Sequence, residues 1–455
     1  MPGSGVLVSK NELLVGHPRL CRLIDGDPET PETEVMVEDT GSAIIVTFSI
    51  AGLAERGDGP YDRWWSQGVM FGDDPDRKKY SYNPPSVLLV YDVDGTIALV
   101  GCRARGASSR SISAGKGVLI ADFAVLGART LKYESVNAVR TESYAYRKWV
   151  EGSAIEIRRE GDNVGRLRSM TLSLKHPDSI RVSRTLNMSA CGTWSITPVL
   201  GGYDVRESLF FETSVSRPRN LLEHIRMHIG VLDLVSVAAW RNCTVESMYV
   251  MRKDDPLRVL DGTSIGEQWL ELVTHQLPGD DVTDCEGRFL FSYSDMAPGS
   301  IERWLRLKRD YGRALDYLLN ILRSGHTWSP QSAIMSGIAL EQLGYLLAVN
   351  RGDGVALNSR RQISFKSALD LVIGDMQTLP FDRSDVEDWK ERCRNVYMSA
   401  KHADRDEVDH LTMLNTLREN LLVLRYWIAQ RLGVNGEVLT SRLRLDPLRS
   451  GFTRA

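Results

Sequence analysis

The apolar residues change their period near residue 300, and that change constrains the fold more than any other feature of the chain. Upstream they alternate or run in short β-branched stretches; downstream they recur every three to four positions almost to the end. A period of two belongs to strands with one buried face, and a period near 3.6 to helices with one buried stripe. The chain therefore reads as α+β and multidomain: a β-rich, sandwich-like N-terminal region followed by an all-α bundle. Its 455 residues exceed one ordinary domain. We place a β-rich domain at 1–275, a linker at 276–299, a helical bundle at 300–435 and a basic tail at 436–455.

The strand-like stretches are "SAIIVTFSIAG", "SVLLVYDVDGTIALVGCRA" with a hairpin signal at Asp94-Gly95, "GVLIADFAVLGA", "GTWSITPVL" and "ESLFFETSV". "SAIEIRREGDNVGRLRSMTLSL" alternates on both sides of the turn "EGDNVG". One helix interrupts, with Leu221, Leu222, Ile225, Ile229 and Leu232 at helical spacing. Residues 235–251 look strand-like again, and two loop-rich segments, "KDDPLRVLDGTS" and "HQLPGDDVTDCEG", bracket a short helical stretch. Five helices follow. Ser300 can cap the first, which stops at Gly325. Ser329-Pro330 opens the second, which stops at Arg351-Gly352. "ISFKSALDLVIGDM" is the third, and Ser384 with Glu387 makes a capping box for the fourth. "HLTMLNTLRENLLVLRYWIAQRLG" is the fifth.

No window holds 18 or more consecutive apolar residues, and the N-terminus lacks a basic segment followed by an apolar core. No membrane partner is expected. The six cysteines are scattered, with no CxxC pair and no His at ligand spacing, so we expect no metal site and a reducing, cytoplasmic setting. A net charge of −3 does not announce a broad nucleic-acid surface, although residues 301–455 are mildly basic and the rest mildly acidic. Gly115-Lys116-Gly117 lacks the Ser or Thr of a phosphate loop and reads as a hairpin turn. Trp64-Trp65 reads as half-buried packing, and His224 and His228, at i and i+4 without a third ligand, read as packing or surface histidines. No cofactor is implied.

The remaining stretch is "RNVYMSAKHAD", beginning at Arg394, on the fourth bundle helix. By itself it reads as the charged, solvated face of a helix. Together with "IERWLRLKRDYGRALDYLLNIL" and "ALEQLGYLL", which contains Glu341, it resembles the HEPN family, and within it the ApeA-like branch associated with bacterial abortive infection against phage. The upstream β-rich region, with "LLEHIRMHIGVLDLVSVAAW", looks like the N-terminal domain that accompanies this branch, so the resemblance covers most of the chain.

The resemblance implies a metal-independent endoribonuclease toxin that acts as a homodimer or higher oligomer through the bundle, with RNA as substrate and a phage-derived trigger at the N-terminal domain. Carried over, the catalytic pair is Arg394 and His402, with Asn395, Arg392 and Lys401 in support. The residue types suit the chemistry. The 2′-OH of RNA is a built-in nucleophile, a histidine can take or give the proton, and an arginine can hold two phosphate oxygens. Seven residues separate Arg394 from His402, where the family pattern has four to six after a polar residue. Eight positions of straight helix advance about 12 Å and overshoot whole turns by about 80°, so the two cannot meet on one straight helix. Either the helix breaks before His402, or a bulge re-phases it, or a second copy completes the site. Two other readings stay open: a non-catalytic HEPN module that binds RNA, a nucleotide or a protein, and a β-sandwich ligand-binding protein with a helical oligomerisation domain.

Overall fold

The computed structural model describes residues 11–26, 32–50, 61–65, 83–109, 114–151, 153–161, 166–259, 261–277, 288–352, 357–402 and 404–453. In chain order these form β1 (Arg19–Ile24), β2 (Thr33–Asp39), β3 (Ile44–Ile50), β4 (Val87–Tyr91), β5 (Thr96–Val100), β6 (Arg103–Ser109), β7 (Gly115–Ala121), β8 (Phe123–Leu126) and β9 (Ser135–Glu142). Then come α1 (Tyr144–Val150), β10 (Ile155–Gly161), β11 (Leu167–Leu174), β12 (Ile180–Ser183), β13 (Met188–Val199), β14 (Gly202–Asn220) and α2 (Leu221–Ala239). Next are β15 (Ser247–Met251), β16 (Leu257–Arg258), β17 (Ser264–Gly266) and β18 (Trp269–Val273). The helices α3 (Ser300–Asp310), α4 (Gly312–Arg323), α5 (Pro330–Arg351), α6 (Phe365–Gly374), α7 (Val386–Lys401), α8 (His410–Arg431) and α9 (Gly436–Leu443) complete the series.

The chain divides into two compact units. The first takes Met1–Thr141, Glu212–Arg226 and Ser247–Leu277. Its strands run in the order β9-β15-β18-β8-β5-β4-β1-β2-β3-β7-β6. Alternation sets the buried face: Cys21 and Leu23, Val35 and Val37, then Ile44, Val46, Phe48 and Ile50 all enter one core. β5 runs on into β6 through Gly101 and Cys102, and β7 into β8 through Asp122. β5 pairs with β8 and β6 with β7, so two bent strands stand at both ends of the β8-to-β6 series and the sheet curls over its own core. One curled sheet thereby supplies the facing layers that the sandwich reading expected of two. The Asp94-Gly95 signal is a β4–β5 turn: Gly95 has φ +141°, and the Asp92 carboxylate accepts from both Asp94 and Gly95 N–H groups.

The second unit takes Glu142–Phe211, Met227–Glu246 and Pro278–Ala455. Its core joins Trp149, Phe211, Leu232 and Phe291 to Trp304, Leu340, Trp389 and Trp427 of the bundle. A single cut at residues 276–299 is therefore not where the units part. The change of period marks the kind of element, not which elements share a core. Phe289, Leu290 and Phe291 in that supposed linker are buried; residues 278–287, including Cys285, lie outside the described residues. α5 is long and apolar enough to cross a membrane by length and composition, and 56% of that stretch is buried in the bundle, where it packs on α4, α6, α7 and α8.

Several local expectations change. Residues up to Ala239 continue α2 rather than returning to strand, because Val231, Leu232, Leu234, Val235, Val237 and Ala238 are all buried and leave no amphipathic stripe to read. The short stretch before residue 275 is strand β18, with Leu270 and Leu272 buried; five residues cannot separate the two periods. The first bundle helix breaks at Tyr311, ahead of Gly312, into α3 and α4. Ser300 is the first residue of α3 behind Gly299, and its hydroxyl donates to the Leu432 carbonyl at 2.8 Å. Ser329 does cap α5, accepting from the Ser332 N–H, and Gly352 ends it at φ +69°. No capping box opens α7: a 3-10 turn at Arg383–Asp385 leads into it without a side-chain cap. The supposed tail forms α9 and then buries Asp446 and Leu448; Arg454 lies outside the described residues.

The weighed motifs also resolve. Lys116-Gly117 lies within β7, not in a turn, and Gly117 leaves room for the Trp65 ring. Trp64 is buried beside Phe48 and Tyr61, and Trp65 Nε1 donates to the Val118 carbonyl at 3.0 Å. Residues 51–60 and 110–113 of the neighbouring glycine-containing stretches, and 162–165 of the "EGDNVG" turn, lie outside the described residues.

Candidate functional site: one flank of α7

α7 buries Val386, Trp389, Cys393, Val396 and Tyr397, a spacing that fixes its core face. At about 100° per residue, Lys390, Arg394, Tyr397 and Lys401 then fall on one flank, while Arg392 falls on the opposite flank and Asn395 points outward. The contacts agree. On the first flank, Lys390 reaches Asp370 of α6 at 2.5 Å and Glu387 at 2.8 Å, and Phe365 of α6 stacks on Tyr397 at 4.7 Å. On the other, Arg392 reaches Glu419 of α8 at 2.8 Å.

Tyr397 anchors this flank. Its hydroxyl donates to Glu341 of α5 at 3.0 Å, and Lys401 lies over its ring at 5.2 Å. Gly337 of α5 makes the close approach: a Cβ there would lie 2.7 Å from the ring. Burial, then the Glu341 carboxylate, raises the Tyr397 pKa well above the usual phenol value. Burial alone would lower the Lys390 pKa, but its two carboxylate partners outweigh it and hold the ammonium charged. Cys393 is buried, and burial pushes its thiol up to about 12, which removes it as a nucleophile.

Arg394 and Asn395 are exposed, and Arg394 makes no ion pair among the described residues. Arg394 edges a cleft of about 250 Å³ shared with Lys366, Glu387, Asp388 and Glu391. α7 runs unbroken to Lys401. His402 caps it in extended conformation (φ −127°, ψ 114°), its N–H bonded to the Met398 carbonyl and its side chain exposed. The helix thus breaks at His402, yet the run from 394 to 401 is helical, so about 12 Å of rise still separates the pair. Arg394 and Lys401 are brought to one flank; His402 ends it; Arg392 is committed to Glu419 elsewhere. Tyr397 escaped the sequence reading, although its position four residues before Lys401 was a usable signal.

The architecture defines a β-rich unit and a second unit in which strands and a helical bundle share one core, with Lys390, Arg394 and Lys401 on one flank of α7. The chain belongs to the ApeA N-terminal domain 1 family, whose model matches residues 36–304. It is an ApeA-like protein, and this places it among anti-phage defence proteins. The match ends in α3, so α7 lies outside it. No curated protein and no solved structure matches the chain.

Proposed function

We propose that this ApeA-like protein is an abortive-infection effector whose bundle is a metal-independent HEPN endoribonuclease, acting as a dimer and controlled by its N-terminal region. One observation carries the reading: a single α7 flank holds exposed Arg394, without an ion pair among the described residues, and Lys401, and ends on an exposed His402. The 2′-OH of a bound RNA attacks the adjacent phosphorus as His402 removes its proton. Arg394 holds the phosphate oxygens as charge builds, the 5′-oxygen leaves taking a proton from solvent, and His402 returns its own proton to solvent. A cyclic phosphate and a 5′-hydroxyl result. DNA, lacking the 2′-OH, is spared. Because about 12 Å of rise separates the two residues in one chain, Arg394 of one copy works with His402 of a second. The N-terminal region answers to a phage-derived trigger.

The test is cleavage of total cellular RNA in EDTA, with phage lysate as trigger, beside His402→Ala and Arg394→Ala. We expect fragments from wild type and at least a ~100-fold loss in both variants. Because both side chains are exposed, the melting temperature should not move. A folded, dimeric wild type that stays inert with trigger present overturns the reading. A non-catalytic module is the second reading, and the acids Glu387, Asp388 and Glu391 around the Arg394 cleft favour its protein-binding form, since they repel the phosphates of RNA or a nucleotide. It expects protection to survive His402→Ala.

A further inference from the structure

A second cleft, of about 430 Å³, lies wholly within the first unit, and Arg103, Arg105 and His275 line it. A different local device holds each of them. Arg103 stands on β6 opposite Ile120 of β7 and gives both terminal nitrogens to the Asp122 carboxylate, at 2.7 Å each. Gly101 makes room for that carboxylate, since a Cβ there would lie 2.5 Å from it. Arg105 is the extra residue of a β-bulge: Ala104 pairs with Leu119 and Gly106 with Val118, so Arg105 has no partner on β7. A bulge re-aims the side chain it carries. Arg105 is exposed, with no hydrogen-bond or ion-pair partner among the described residues. His275 follows β18, and its Nε2 lies 2.6 Å from Asp39 Oδ1. Asp39 is buried, and the same oxygen accepts from the Gly41 N–H at 2.8 Å. A carboxylate against one ring nitrogen fixes the ring and leaves the other nitrogen for a further partner. Nδ1 has none among the described residues, and the side chain is 24% exposed. Pinning β18 to β2 explains the Asp39 bond, but not the two arginines in the cleft beside it.

We propose that this cleft binds a small organic phosphate, a phosphate monoester of about the size of a nucleoside monophosphate. The arginines select an anion. Asp122 is spent on Arg103, so the Arg105 charge is left for a ligand, and a guanidinium fork matches phosphate oxygens. His275 selects phosphate over sulfate. A phosphate monoester exchanges its second proton at a pKa of about 6, so it can accept from a protonated Nδ1 or donate its P–OH to a bare one. Sulfate can only accept. The size follows from the cleft, whose volume falls in the range of about 300–1,000 Å³ usual for small-molecule sites. Ile44 and Ile120 give it an apolar wall for the organic part, and Ser42 and Gln276 add polar groups for hydroxyls.

The experiment is calorimetric titration of the full-length protein with adenosine 5′-monophosphate, ribose 5-phosphate, adenosine and sulfate, with hydrogen exchange to locate the contact. Binding is read without RNA cleavage, so the outcome is independent of the nuclease reading. We expect both phosphate esters to bind at least ~10-fold more tightly than adenosine or sulfate, and to slow exchange in residues 39–44 and 103–106. Arg105→Ala should weaken both esters ~10-fold or more without moving the melting temperature of the free protein, because the side chain is exposed. Arg105→Lys should recover part of that loss. His275→Gln keeps a donor for Asp39 but lacks the second ring nitrogen, and it should erase the preference over sulfate. Binding of neither ester, sulfate binding as tightly as the esters, affinity untouched by Arg105→Ala, or slowed exchange in α7 instead would each overturn the proposal.

Discussion

Arg392 and Arg394 are two positions apart, and the helix turns that small interval into opposite environments. The core face of α7 sends Arg392 to Glu419 and leaves Arg394 at an open cleft. The sequence tells that the two diverge, since two residues rotate about 200°. It does not tell which one meets an acid, because Glu419 arrives from a different helix. His224 makes the same point for histidines. It is fully buried, its Nδ1 2.7 Å from Thr213 Oγ1, and burial, then Arg219, pushes its pKa down to about 4. The unfolded chain holds this proton with a pKa near 6.5, so it binds more protons than the folded state between those values. Stability is full above pH 6.5 and lost as the pH falls toward 4, by about 2 kcal/mol at pH 5 from this group alone. Urea midpoints at pH 7 and pH 5 check it: His224→Gln should show a smaller fall between them than wild type.

At the scale of elements, the ends of helices were legible where the cap is local. Ser329-Pro330 starts α5 and Gly352 stops it as their types demand. The end of α2 was not legible, because what closes it is distant in sequence. Arg425 of α8, fully buried, donates to the Val237 and Ala238 carbonyls at 2.8 and 2.9 Å and holds Asp446 with two bonds of 2.8 Å. No window around residue 239 contains that information. Nor does the composition of the last twenty residues show that one acid among the arginines is buried. Arg425→Met leaves Asp446 charged and unpaired in the core, together with two orphaned carbonyls, and should cost about 3–5 kcal/mol. Asp446→Asn should cost less, because the amide oxygen still accepts. Chemical denaturation of both variants decides this; equal and small losses would show that the pair is not buried in solution.

At the scale of the molecule, a site shared between copies makes a prediction that a self-contained site does not. Mixed Arg394→Ala and His402→Ala proteins, each inactive, should regain about a quarter of wild-type RNA cleavage, because half the dimers are mixed and each has one intact site. No recovery after subunit exchange would place both residues in one chain's site or neither in any.

The chain crosses between its two units five times: after Thr141, Phe211, Arg226, Glu246 and Leu277. Three of these crossings fall inside continuous elements, at the end of β9, within β14 and within α2. Genes that trade sensors and effectors by recombination need a seam where one junction separates two intact parts. This chain has no such seam across most of its length. Exchange at residue 300 would carry off the bundle but leave behind α1, α2 and the strands that complete its core. The two parts are therefore expected to be inherited as one piece, with variation arising by substitution rather than by exchange of domains.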